Sequence, residues 1–248
     1  MRKYLTLTVF LLSLIALSTG CKREYDPVSE EAKSIYPVQD GKYRTYFVVD
    51  TTYASATLEE ARTYYKREST DGTELDLLDR DVSKLWIYTS EDTIGNAVPN
   101  PIYNWKFDQL WTQYLSDNYA ERIEGNTRYL VLKWPPYEGS TWNGNLFNNQ
   151  DVQTYQYMNL DTTVTIQGKT YEHCVYVLQV PFRMPVIKTP GGPAPPFFLI
   201  EHAYEIYAPN IGKIVRYSKF YEEQYINGSL TIDESSRIYL EELVDHNY

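Results

Sequence analysis

Three histidines, two cysteines and one close pair of acids are the residues of this 248-residue chain whose types invite chemistry. A metal site needs ligands that converge, and no histidine has a partner at ligand spacing. His173 and Cys174 are neighbours in a predicted strand, so their side chains leave opposite faces and cannot share one ion. His202 falls in phase with Ile200, Tyr204 and Ile206, the pattern of a half-buried, hydrogen-bonded histidine, and His246 stands near the C-terminus. Glu201 and Glu205 share a strand face and invite a glycosidase reading, but at about 3.3 Å per residue they stand about 13 Å apart. Hydrolytic carboxyl pairs need about 5 to 9.5 Å. The chain has no Gly-x-Ser-x-Gly, no His-Glu-x-x-His and no phosphate-binding loop. No catalytic residue, metal or cofactor is expected. Asn143, Asn145, Asn148, Asn149 and Asp151 offer oxygens to Ca²⁺, yet one charge among five, at spacings unlike an EF-hand loop, fits a structural turn network better. Trp142 beside them is expected to plug the sheet.

Cys21 invites a different chemistry, acylation. Arg2 and Lys3 precede an apolar run from Tyr4 to Leu17, broken only by Thr6, Thr8 and Ser13. The run is shorter than the roughly 20 apolar residues of a membrane span and has the layout of a secretory signal. Ser18-Thr19-Gly20-Cys21 resembles the bacterial lipobox, in which the cysteine is diacylated and becomes the mature N-terminus, although Ser18 stands where leucine is commonest. The alternative is an ordinary cleaved signal that ends near a cysteine. Acyl chains bury about 0.8 kcal/mol per methylene, so two or three would tether the chain permanently. Lys22 and Arg23 follow where an aspartate would resemble an inner-membrane retention signal, which favours the outer membrane. The expected plan is a signal peptide over 1–20, a flexible lipid-anchored tether over 21–40 and one body over 41–248.

The formal net charge is -10, and the signal takes only Arg2 and Lys3 from the count, so the mature chain is more acidic still. That balance argues against nucleic acid and anionic headgroups, which need a basic footprint. With Cys21 acylated, Cys174 has no intramolecular disulfide partner, and burial must carry stability. The chain holds 25 Tyr, five Trp and eight Phe, residues that favour strands and bury large areas with a polar tip.

The elements that would position these residues read as strands. Alternation begins at Tyr43, Thr45, Phe47 and Val49; the segment from Leu58 to Tyr65 suits strand or short helix; Leu75, Leu77, Leu85 and Ile87 fall in two more strands. Tyr119–Ile123 and Thr127–Trp134 flank a turn at 124–126, and Pro135-Pro136 ends the second. Strands follow over Val152–Leu160, Thr163–Gln167, Tyr171–Val180, Phe198–Tyr207, Lys213–Glu222, Tyr225–Ile232 and Arg237–Val244. Asn96–Pro101, Tyr137–Asn149 and the Pro-rich Met184–Pro196 are loops. In the Tyr171–Val180 strand Cys174 shares a face with Tyr176, Leu178 and Val180 and reads as a small buried hydrophobe. About a dozen strands with short turns predict an all-β, single antiparallel domain, either a closed barrel or a strongly curved meander.

The strongest alternation places Tyr103, Trp105, Phe107, Gln109 and Trp111 on one face. As core it needs nothing further; as an exposed platform its rings would stack on sugars. Phe197-Phe198 is either a strand start or an exposed contact. Asp50-Thr51-Thr52, Asp92-Thr93-Ile94 and Asp161-Thr162-Thr163 resemble short O-glycosylation sites of bacterial envelopes.

Longer runs carry a wider likeness. Glu124 to Tyr129, Trp134-Pro135-Pro136, Gly139 to Asn145 with its Trp142-Asn143-Gly144-Asn145, and Glu205 to Arg216 together resemble a group of uncharacterised cell-envelope lipoproteins of Bacteroidota-type bacteria. The likeness runs from Lys22 to about Arg216. It implies an envelope lipoprotein of antiparallel strands and no activity. The resulting expectation is a non-catalytic, lipid-anchored β domain that binds or scaffolds an envelope component, with the membrane as partner through Cys21. The alternatives are a surface glycan binder using Tyr103, Trp105, Trp111 and Trp142, or a carrier of an apolar ligand.

Overall fold

Alternating Tyr, Val, Thr and charged residues favour extended backbone from Lys42 onward. The computed structural model describes residues 30–55, 58–91, 104–182, 197–226 and 229–248. They form one helical turn, α1 (Glu30–Lys33), and thirteen strands. These are β1 (Lys42–Ser55), β2 (Leu58–Leu75), β3 (Asp81–Glu91), β4 (Lys106–Leu115), β5 (Tyr119–Glu124), β6 (Thr127–Lys133) and β7 (Thr141–Asn143). After them come β8 (Thr154–Ile166), β9 (Lys169–Val180), β10 (Phe197–Ala208), β11 (Gly212–Ile226), β12 (Ser229–Ile232) and β13 (Arg237–His246). Every pairing is antiparallel, in the order β6-β5-β4-β3-β2-β1-β13-β11-β10-β9-β8-β7, with β12 beside β11.

The sheet curls into a nearly closed barrel. Arg122 of β5 reaches Glu205 of β10, seven places away in the sheet, across the interior. The two ends of the sheet meet at a seam that is mostly side chain. One backbone bond crosses it, Leu130 N–H to the Gly144 carbonyl at 2.9 Å. Trp142 Nε1 donates to the Leu130 carbonyl at 3.0 Å, and Asn148 Nδ2 to that of Arg128 at 2.8 Å. Tyr157 Oη donates to the Lys133 carbonyl at 2.8 Å. Gly144 suits this place, because a Cβ would clash with the Tyr155 ring and force it to shift.

Several expectations change. The Leu58–Tyr65 segment is strand, held by an unbroken register with β1 from Lys42 to Tyr53. Leu77 sits in the turn after β2, where Asp76 accepts the backbone N–H groups of Leu78 and Arg80. The strands expected at Val152–Leu160 and Thr163–Gln167 are one, β8: register shifts between Tyr157 and Val164 absorb the polar Asn159-Leu160-Asp161 step that looked like a break. Likewise β11 runs on to Ile226, and only Ser229–Ile232 turns back on it. Thr141–Asn143, expected in a loop, is the short strand β7. Residues 1–29, with Cys21, and the segments Asn96–Pro101 and Met184–Pro196, expected as loops, lie outside the described residues.

The expected tether over 21–40 does not stay free to its end. From Glu30 the chain is packed into the end of the barrel where β1 begins. Ile35 and Tyr36 are buried in the cluster that holds Leu130, Leu132, Trp134, Trp142, Val177 and Tyr207. Lys33 Nζ bonds Asp117 at 2.6 Å, the Ser34 carbonyl accepts the Asn210 N–H at 2.8 Å, and Tyr36 Oη donates to the Glu121 carbonyl at 3.4 Å. The apolar pair is what the polar, proline-bearing segment offers the barrel, and its burial closes that end. A second cluster gathers Tyr46, Val48, Ile166, Cys174, Ile214 and Leu243.

Candidate functional site

The barrel interior is ionic. Arg44, Tyr46 and Val48 on β1 and Lys66, Glu68 and Thr70 on β2 share the buried face, so alternation carries charges inward with the apolar residues. Lys66 Nζ lies 2.5 Å from Glu241 and 3.2 Å from Glu68; Lys213 Nζ lies 2.9 Å from Glu68 and 2.8 Å from Glu241. Arg44 Nε stands 3.6 Å from Glu68. On the opposite wall Arg122 is 2.7 Å from Glu124 and 3.4 Å from Glu205, whose other oxygen accepts Tyr207 Oη at 2.5 Å.

Buried carboxylates survive there only because cations surround them. Burial pushes Glu68 toward its neutral form, but Lys213, Lys66 and Arg44 outweigh it and hold the carboxyl well below its usual range. The same contest leaves Glu241 below its usual value through Lys213 and Lys66, and Glu205 through Arg122 and Arg216. For Lys213 burial wins and lowers the ammonium from its ordinary value, with Glu241 and Glu68 offsetting only part.

Away from the α1 end the interior opens into a cavity of about 300 Å³. Tyr64 and Lys66 of β2, Ile87 and Thr89 of β3 and Gln109 and Trp111 of β4 form one wall, and Glu124, Arg216, Ser218, Arg237 and Tyr239 the other. Trp111 is 8 % exposed, donates Nε1 to Gln109 Oε1 at 2.7 Å, and has Lys66 Nζ 4.9 Å from its ring centre. It is a wall of the cavity, not an open platform.

The expected aromatic stripe is divided by a β-bulge. On β3, Ile87 and Tyr88 are consecutive, but their partners on β4 are Gln109 and Phe107, so Asp108 is the extra residue. Gln109 and Trp111 therefore face the cavity, while Phe107, 56 % exposed, packs on Trp86 and Tyr88 at the outer surface. Trp105 stacks on the Arg67 guanidinium, 4.6 Å from its ring centre, opposite Tyr43 at 4.2 Å. Trp142 is buried at the seam, as expected of a plug, 4.6 Å from the ring centre of Tyr157. The three tryptophans thus occupy three places, and Tyr103 lies outside the described residues.

The remaining candidates fall as follows. Asn143 Oδ1 accepts the N–H groups of Asn145 and Gln153, and Asn145 Nδ2 donates to the Asp151 carbonyl, so the asparagine run is the expected turn network. His202 is half-buried with Nδ1 3.1 Å from the Val180 carbonyl. His173 is exposed, 2.7 Å from Asp161, while Cys174 beside it is buried, its thiol pushed up to about 11 by burial. Glu205 is buried in the ionic lattice, while Glu201 is only half-buried. Thr51 is buried within β1 and Asp50 is held by Arg237, which leaves the first glycosylation triplet inaccessible; the one at Asp92 lies outside the described residues. Among the described residues no group of three or more His, Cys, Asp or Glu side chains is arranged to hold a metal ion.

Sequence reasoning missed Lys66, Glu68, Lys213 and Glu241, because a charged position in an alternating strand reads as outward. A signal did exist for Lys213 and for four further residues of the lattice: with Glu124, Glu205, Tyr207 and Arg216 it falls inside the runs that carry the lipoprotein likeness.

No family model matches the chain, and no curated protein matches it. Among solved structures it is similar to a Bacteroides fragilis protein, provisionally described as exported, with a YmcC-like fold. The two share 14% sequence identity at a TM-score of 0.41, over 86% of this chain and 98% of the other.

Proposed function

We propose that the chain is a lipid-anchored envelope lipoprotein whose β body is a non-catalytic binding module, and that it takes a polar, hydroxyl-rich ligand of saccharide type in the Trp111 cavity. The single observation that carries the ligand class is the cavity lining. It offers Thr89, Gln109, Ser218, Arg216 and Glu124 as donors and acceptors beside the rings of Tyr64, Trp111 and Tyr239. Its volume lies at the lower end of small-molecule sites. An apolar cargo fits poorly, since it would leave Lys66 and Arg216 facing hydrocarbon. The anchor rests on the signal layout and Cys21.

Two measurements test the reading. Detergent-solubilised full-length protein titrated with a panel of mono- and disaccharides should show a tryptophan fluorescence change that Trp111→Phe reduces; a panel without any binder rejects the ligand class. Cells expressing the native chain should incorporate labelled palmitate, and Cys21→Ala should abolish the label and release the protein from membranes. A Cys21→Ala chain that still fractionates with membranes, with no label on the native protein, rejects the anchor.

A further inference from the structure

The cavity contains one cation whose bonding is incomplete. Arg237 is held by Asp50 through two bonds of 2.7 Å, and Lys66 by Glu241 at 2.5 Å. Arg216 is different. Its nearest carboxylate oxygens, on Glu205 at 3.7 Å and Glu124 at 3.9 Å, lie beyond hydrogen-bond range, and among the described residues its guanidinium makes no hydrogen bond. The side chain is 27% exposed, into the cavity. Five N–H donors in a planar fork suit a carboxylate, which accepts two at once.

Charge counting agrees. In the lattice Arg44, Lys66, Arg122, Lys213 and Arg216 face Glu68, Glu124, Glu205 and Glu241, which leaves it one negative charge short of neutrality. Asp108 also borders the cavity, but at its exposed rim, where water screens it. A ligand with one carboxylate would complete both the bonding of Arg216 and the charge.

We infer that the cavity selects an acidic sugar, with the ligand carboxylate on Arg216 and its hydroxyls on the polar wall. The inference rests on the saccharide reading above and narrows it. The acidity of the whole chain sets a limit: a densely charged polyanion is repelled on approach, so the ligand is a single or terminal uronic acid. Arg216 is a binding residue in this assignment, not a catalytic one.

The test titrates full-length protein in neutral detergent with glucuronate, glucuronate methyl ester, glucose, acetate and inorganic phosphate. Glucuronate should bind on the order of 10- to 100-fold more tightly than its ester or glucose, the span of a charge-assisted contact. Arg216→Gln should bring glucuronate, its ester and glucose to equal affinity, and Arg216→Lys should restore part of the preference for the acid. The ester comparison uses the native chain, so it stands even if a variant does not fold. Equal binding of glucuronate, ester and glucose overturns the acid selectivity and leaves the saccharide reading intact. Binding of acetate or phosphate as tight as glucuronate overturns the sugar in favour of a plain anion site. No binding by any sugar overturns both.

Discussion

At the scale of single residues the molecule is defined by charges that face inward. Glu205 is fully buried, and it neutralises Arg122 and takes the Tyr207 hydroxyl. Glu205→Leu should therefore cost about 3 to 5 kcal/mol, because Arg122 and Arg216 are left to share the single charge of Glu124 and the Tyr207 hydroxyl loses its acceptor. Adding Arg122→Met should return only part of that loss, since it removes the surplus cation but also takes from Glu124 its partner at 2.7 Å. Urea unfolding of both variants checks this; a Glu205→Leu chain as stable as the native one removes the lattice from the account of stability. These residues were the least legible in the sequence. Cys174, His202 and Trp142 were read correctly because their burial follows from strand phase or turn context alone. Lys66 and Glu241 could not be, since their partners are 175 positions apart.

At the scale of elements, strand identity was legible and strand phase was not. Most strands were placed to within a few residues because alternation is a local property of the chain. Bulges are set by the neighbouring strand, and so the one at Asp108 sent Trp105 and Phe107 outward against the expected stripe. The seam offers the sharpest check at this scale. Gly144 presents the carbonyl that accepts the Leu130 N–H, and its missing Cβ leaves room for Tyr155. Gly144→Ala should push β7 from β6, so the Leu130 amide should exchange hydrogen faster, while the Val48 amide, in the centre of β1, keeps its native protection. Trp142→Ala should cost about 3 to 5 kcal/mol through lost burial and a lost bond. Unchanged Leu130 exchange in Gly144→Ala would show that the contact does not close the barrel.

At the scale of the whole molecule, stability and pH are linked through the carboxylates. Glu68, Glu124, Glu205 and Glu241 all sit below their ordinary 4.5, and Asp76, bonded by Arg80, sits at about 2 against 3.8. Depressed values mean that the folded chain binds fewer protons than the unfolded one, so stability rises with pH through this range. The contribution is complete above about pH 5 and is lost as pH falls below about 4 through the folded values. Thermal unfolding followed by circular dichroism should give a flat midpoint from pH 7 to 5 and a steep fall below 4. Buried pairs are weakly screened, so added salt should move the midpoint little. A midpoint at pH 3 equal to that at pH 7 contradicts the lattice.

The burial of Ile35 and Tyr36 has a geometric corollary. Only eight residues, and so nine backbone steps, separate Cys21 from Glu30, and a fully extended stretch of that length reaches at most about 32 Å. An acylated Cys21 would thus keep the barrel on a short leash, with the plugged rim turned to the lipid and the mouth that holds Arg216 pointing away from it.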